Sequence, residues 1–178
     1  MRISKKETRR TRSAPREAVI LFTVGPTTLA IAAAAVEEIR SIEGLVPFAP
    51  PFKLRSLARV QHTLARGQKT YYVVAAAAHF GFASSRPTRL LLLRHASVAV
   101  QVENVARMAE IAILHALPLA FTGDERRWYR GLAQVGDDVV PVVAPEAFLS
   151  AAELSLLRAS APKNAGREAD VKQGAVSA

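Results

Sequence analysis

The segment from Trp128 to Ser150 restricts the available folds more than any other part of the chain. Two short apolar runs, residues 132–135 and 139–143, flank Gly136-Asp137-Asp138, small residues that tolerate a tight reversal. This arrangement predicts a β-hairpin. Pro145 then suits the first turn of a short helix, where a missing N–H costs nothing. Ser150-Ala151-Ala152-Glu153 has the form of a capping box opening a second helix that carries Leu154, Leu156 and Leu157. The same punctuation recurs upstream. Strands are predicted over 19–24 and 28–32 around Gly25-Pro26, over 71–78, and over 89–94 and 97–102 around His95-Ala96. Residues 36–40 read as one helical turn or a strand edge with Val36 and Ile39 on one side. Three prolines within 47–52 exclude helix interior and predict an extended connector. Residues 53–65, in contrast, place Leu54, Leu57, Ala58, Gln61 and Ala65 at helix-like intervals. Periodicity alone therefore predicts a mostly β domain with many short strands and one or two helices.

Charge is concentrated at one end. The chain of 178 residues has a formal net charge of +9. Residues 1–17 hold Arg2, Lys5, Lys6, Arg9, Arg10, Arg12 and Arg16 against Glu7 and Glu17, which is +5 of that total. Such an arm is expected to be solvated and disordered, and it can attract nucleic acid, anionic lipid or an acidic partner. Residues 159–178 are small, polar and non-periodic, and are expected to form a disordered tail. The basic start followed by apolar residues 18–36 superficially matches an export signal, but Gly25-Pro26-Thr27-Thr28 splits that run and favours a hairpin. No stretch of about twenty apolar residues exists to span a membrane.

Catalytic constellations are missing. The chain has no cysteine, which excludes disulfides, thiolate nucleophiles and Cys-ligated metals. His62, His79, His95 and His115 lack metal-ligand spacing and are expected to be surface or barrel-edge side chains. Ser84, Ser85 and Ser150 have no Gly-x-Ser-x-Gly context, and no glycine-rich phosphate loop occurs. Asp137 and Asp138 are explained by their turn. Arg126-Arg127-Trp128-Tyr129-Arg130 interleaves cations with aromatics, as single-stranded nucleic-acid binders do. The favoured expectation is a charged loop feeding a strand whose aromatics cover the core.

Taken in order, these pieces resemble the CheW-like domain, the adaptor module of bacterial chemotaxis arrays. The matching elements are an apolar strand ending Leu21-Phe22-Thr23-Val24, a turn, a return strand, Val36-Glu37-Glu38-Ile39, and then Val46-Pro47-Phe48-Ala49-Pro50-Pro51-Phe52. Phe80-Gly81, Val102-Glu103-Asn104-Val105 and the terminal hairpin continue the pattern. The resemblance covers roughly residues 18–158. It departs at the insert 53–65, at the imperfect Arg-Gly element Arg66-Gly67, and in 71–78, which lacks the family's Asp.

The resemblance implies a mostly β fold of two small five-stranded SH3-like β-barrels with short helices and a C-terminal helix. The lobes are expected at roughly 18–85 and 86–158. It further implies a cytoplasmic, non-enzymatic scaffold without cofactor, metal or small-molecule substrate. Its partners would be a CheA-like histidine kinase and the cytoplasmic tip of a chemoreceptor. Carried over to this sequence, Val36 and Ile39 become apolar groove contacts, Glu38 a rim carboxylate and Arg66 its partner. Val102 and Val105 lie in the segment matching the family's Val-Asp-x-Val. Because the departures fall in the first half, kinase docking is expected to survive better than receptor docking. The second reading, from another class, is a β-barrel module that binds nucleic acid through its basic arm.

Overall fold

A computed structural model of the chain describes residues 16–83 and 86–160. The arm expected at 1–17 lies outside the described residues as far as position 15, but Glu17 already belongs to the first strand. Likewise the expected tail lies outside them from 161 onward, while Ala159 and Ser160 complete the last helix.

Twelve strands run among the described residues: β1 Glu17–Val24, β2 Thr27–Ala32, β3 Val36–Ser41, β4 Val46–Pro47, β5 Val60–Arg66, β6 Lys69–Ala75, β7 Arg89–Leu93, β8 Val98–Val102, β9 Asn104–Ile111, β10 Leu114–His115, β11 Tyr129–Val135 and β12 Asp138–Val143. Two α-helices, α1 Ala76–Phe80 and α2 Ala151–Ser160, accompany four short 3-10 turns. The strands form two six-stranded sheets, ordered β10-β11-β12-β2-β1-β9 and β3-β7-β8-β6-β5-β4. Neither sheet closes its hydrogen-bond ladder into a full barrel, and each gains a two-residue strand beyond the five that the resemblance implies.

Sheet membership does not follow a division at residue 85. The second sheet is built from consecutive strands between 36 and 102 and is inserted between β2 and β9 of the first. We call these the inserted lobe and the outer lobe.

The nesting explains why the strong strands are continuous apolar runs. Side chains alternate across a strand, so a strand between two cores must be apolar on both faces. In β1, Ile20, Phe22 and Val24 enter a core shared by the lobes, while Val19 and Leu21 fill the outer lobe. In β7, Leu91 and Leu93 enter the shared core and Leu90 and Leu92 fill the inserted lobe. Tyr72 and Val74 against Tyr71 and Val73 do the same in β6.

The terminal hairpin forms as the sequence predicts, with Gly136 at φ +64° in its turn. The β7–β8 hairpin turns through His95 at φ 61°. Ahead of α2 the capping box closes: the Glu153 amide donates to Ser150 Oγ at 3.2 Å and the Ser150 amide to Glu153 Oε2 at 2.8 Å. Leu154 and Leu157 then anchor the helix in the shared core.

Two stretches differ from expectation. Residues 53–65 are not a helix: a 3-10 turn at Phe52–Leu57 precedes β5, and Gln61 and Ala65 are exposed. Residues 36–40, readable either way, are the edge strand β3.

Candidate partner-binding surfaces

The first candidate surface is the seam where the inserted lobe curls back on itself. Arg94 sets the start of β3: its amide donates to Ala35 O at 2.8 Å, and its guanidinium to Ala34 O at 3.0 Å and Val36 O at 3.2 Å. Beyond this anchor β3 pairs, among the described residues, only with β7, and its other side meets the β5–β6 hairpin through side chains. Arg66, at the end of β5, forms an ion pair with Glu38 and lies 3.9 Å from Glu37. Lys69 reaches Glu37 at 3.8 Å and sits 4.4 Å from the centre of the Tyr71 ring, whose hydroxyl donates to Glu37 at 3.2 Å. Arg40 approaches Glu38 from the other side at 3.7 Å. These charges are a third or more exposed, so each pair contributes at most about 0–1 kcal/mol to stability. Beside them Ile39 and Ile42 present apolar surface, 42% and 37% exposed.

Of the residues singled out from the sequence, Glu38, Ile39 and Arg66 therefore come together on one exposed edge. Val36 and Val102 do not join them. They are 6% and 1% exposed and pack in the shared core, because β3 and β8 each turn one face inward there. Val105, half-buried, packs against the same core from β9, where it pairs with Phe22 across a bulge.

The second surface is a cleft of about 920 Å³ between the lobes, most of whose lining residues the sequence did not mark. Its walls come from the start of β5, α1, the turn before β11 and the start of α2. Arg59 spans it, donating to Ser56 O at 2.8 Å, Phe148 O at 3.2 Å and Glu153 Oε1 at 2.5 Å. Burial alone would raise the Glu153 pKa, but bonds from the Ser150 amide and from Arg59 outweigh it and hold the carboxyl below its ordinary value. Behind Arg59, His79 lies 5.0 Å from Trp128 and 5.2 Å from Phe148, ring centre to ring centre, and Phe80 stacks on Tyr129 at 6.0 Å. These rings belong to both lobes and join them.

His79 is thus not a surface or barrel-edge side chain. It is 8% exposed and its Nε2 has no partner among the described residues. Burial, then the charge of Arg59, partly opposed by Glu153, lowers its pKa to about 4. The imidazole is neutral at physiological pH. His62 is half-buried, and His95 and His115 are exposed. The aromatics of the Arg126–Arg130 stretch go into the joint, as the favoured expectation had it, since Trp128 and Tyr129 contact Phe80.

The Ser150–Glu153 motif was the available signal for this cleft, because it marks Glu153; nothing in the sequence marks Arg59 as its partner. Among the described residues no three His, Asp or Glu side chains gather as a metal site, and no helix is long and apolar enough to cross a membrane.

Comparison with known proteins agrees with this architecture. The family model described as the CheW-like domain matches residues 18–153. Among solved structures, the crystal structure of the scaffolding protein TtCheW from Thermoanaerobacter tengcongensis superposes with a TM-score of 0.62 at 14% identity, covering 73% of this chain and 90% of that one. At that identity the likeness is one of fold. No curated protein matches the chain.

Proposed function

The chain belongs to the CheW-like domain family, and on that premise we propose that it is a cytoplasmic, non-enzymatic adaptor that couples chemoreceptors to a CheA-like histidine kinase. The observation that carries this reading is the Glu38–Arg66 pair on an edge strand beside exposed Ile39. The pair is too exposed to be there for stability, so its role is to set register. It holds a guanidinium in a fixed direction, where a partner carbonyl or carboxylate can meet it. Ile39 and Ile42 supply apolar area that loses water when the partner arrives. Val105 acts from behind by holding β9 against β1.

The segments that depart from the family pattern, 53–65, Arg66-Gly67 and 71–78, all fall in the inserted lobe. The outer lobe carries the terminal hairpin intact. Kinase docking through the better-preserved surfaces is therefore the stronger of the two couplings.

Calorimetric titration of the full chain with the regulatory domain of a CheA-like kinase, and with a receptor-tip hairpin, tests the reading. Ile39→Asp and Arg66→Ala should each weaken at least one partner by tenfold or more while changing stability by no more than about 1 kcal/mol. Wild-type affinity for both partners in both variants would refute the assignment of this edge.

A further inference from the structure

The connection from β9 to β11 carries an apolar surface that the adaptor reading does not use. Residues 112–121 run Ala-Ile-Leu-His-Ala-Leu-Pro-Leu-Ala-Phe, with no charged side chain and His115 as the one polar residue. The segment is held at two points. Leu114, in the short strand β10, packs against the outer-lobe core, and the Phe121 ring meets Tyr129 edge-on at 6.2 Å. Between them the Phe121 amide donates to Pro118 O at 3.1 Å, closing a turn with Leu119 at its tip. Leu119 is 88% exposed and Ile113 62%, and Ala112, Ala116 and Ala120 are exposed beside them. Large apolar side chains presented together on an anchored turn mark a contact surface.

Basic groups collect at the foot of this turn. Glu17 lies opposite Ile111 across the β1–β9 ladder, so the described chain begins beside the start of the apolar run. Residues 1–15, which hold six basic side chains against Glu7 alone, join it there. At the other end of the run Arg126 donates to Phe121 O at 3.1 Å, and Arg127 beside it is exposed. The Arg130–Glu17 pair, at 2.6 Å, ties the two ends together. Three carboxylates nearby are already engaged: Glu17 by Arg130, Glu110 by Arg16 at 3.4 Å, and Glu125 by the Gly123 amide at 2.9 Å.

Two observations select the occupant. Residues 1–15 and 161–178 hold no more than two apolar residues in succession, so neither supplies an apolar cover. Protein interfaces favour aromatic and arginine side chains at their core, whereas the exposed groups here are aliphatic. A bilayer needs no directional partner. Aliphatic side chains entering its headgroup boundary lose water, while lysine and arginine are drawn to anionic headgroups. A single weak anchor gives marginal, reversible attachment, and an apolar anchor joined to a basic cluster holds.

We propose that the 112–121 turn of the outer lobe seats on a bilayer surface containing anionic phospholipid. Leu119 and Ile113 enter the headgroup boundary, and residues 1–15, Arg126 and Arg127 meet the headgroups. The Glu38–Arg66 edge belongs to the other sheet and takes no part. The proposal goes beyond the adaptor reading and does not depend on it.

Co-sedimentation of the full chain with vesicles is the test, one set of phosphatidylcholine alone and one with about a third phosphatidylglycerol. The chain binds the anionic set about tenfold more tightly or better, and the preference shrinks as salt is raised. Deleting residues 1–15 weakens this binding about a hundredfold. Leu119→Asp weakens it about tenfold or more and keeps the wild-type melting temperature, because the position is exposed. In Leu119→Trp the added fluorescence is quenched by vesicles with brominated acyl chains. Equal binding to the two vesicle sets, wild-type vesicle binding by Leu119→Asp, or unquenched emission from Leu119→Trp overturns the proposal. Loss of kinase binding or of self-association in Leu119→Asp, with vesicle binding intact, overturns it in favour of a protein interface. Arm-dependent capture of single-stranded DNA without vesicle binding overturns it in favour of nucleic acid. Failure of the vesicle experiments leaves the adaptor reading standing.

Discussion

Replacing His79 with phenylalanine removes a buried imidazole while keeping a planar ring between Trp128 and Phe148. In the folded chain His79 titrates at about 4 instead of its ordinary 6.5, through burial and the nearby Arg59 charge, with Glu153 opposing. Between these values the unfolded chain takes up a proton that the folded chain refuses, so stability falls as pH drops from about 6.5 to about 4 and the loss levels off below. At 1.36 kcal/mol per unit, the difference is about 3 kcal/mol. The partnerless Nε2 gives a second expectation: at pH 7 the variant is as stable as wild type or more so. Glu153, whose stabilisation is lost as pH falls through the acid range, is common to both proteins and cancels in the comparison. Urea unfolding of wild type and His79→Phe at several pH values from 7 to 4 measures the effect. Wild type should lose about 3 kcal/mol more than the variant over this range. Parallel pH profiles would show that His79 is not held neutral by the joint, and the account of the lobe interface would fail.

Other perturbations address other parts of the molecule. Arg59→Met removes three hydrogen bonds, two of which, to Phe148 O and Glu153, tie the residue before β5 to α2 and the turn ahead of it. It should cost about 2 kcal/mol, read as a fall in melting temperature of roughly 4–8 °C. Gly131→Ala places a methyl 2.3 Å from His115 O and 2.9 Å from Leu114 Cγ. Backbone cannot yield there without breaking the β10–β11 pairing, so calorimetry should show a loss of about 2–3 kcal/mol. Deleting residues 1–15 should leave kinase and receptor affinities unchanged. Salt-sensitive binding of single-stranded DNA that disappears with the deletion would instead favour the nucleic-acid reading.

The fold was most legible where one residue type had one physical use. The runs at 19–24 and 89–94 could only be strands buried on both faces, and Ser150 with Glu153 could only begin a helix. Residues 53–65 misled for a definite reason. Leu54, Leu57, Ala58, Gln61 and Ala65 fall at helical spacing, yet of these only Leu57 is buried. That spacing arises from a 3-10 turn followed by a strand with a bulge between Val60 and His62. β9 left almost no trace, because only Ile111 among its eight residues is fully buried, and an edge strand facing solvent has little apolar pattern to show.

The candidate site divides in the same way. Glu38 was reachable through a family pattern that its segment keeps, and Arg66 through the imperfect counterpart of the Arg-Gly element. Arg59, His79 and Trp128 were not. Their meeting depends on one lobe being nested inside the other, and no local spacing encodes that.

Sedimentation of the full chain with a CheA-like regulatory domain and a receptor-tip hairpin, alone and together, puts the central claim to the most direct test. An adaptor gripped on separate surfaces gives one complex containing all three components, with each partner leaving the affinity of the other at least intact. A chain that binds neither, or binds one only by releasing the other, contradicts the account.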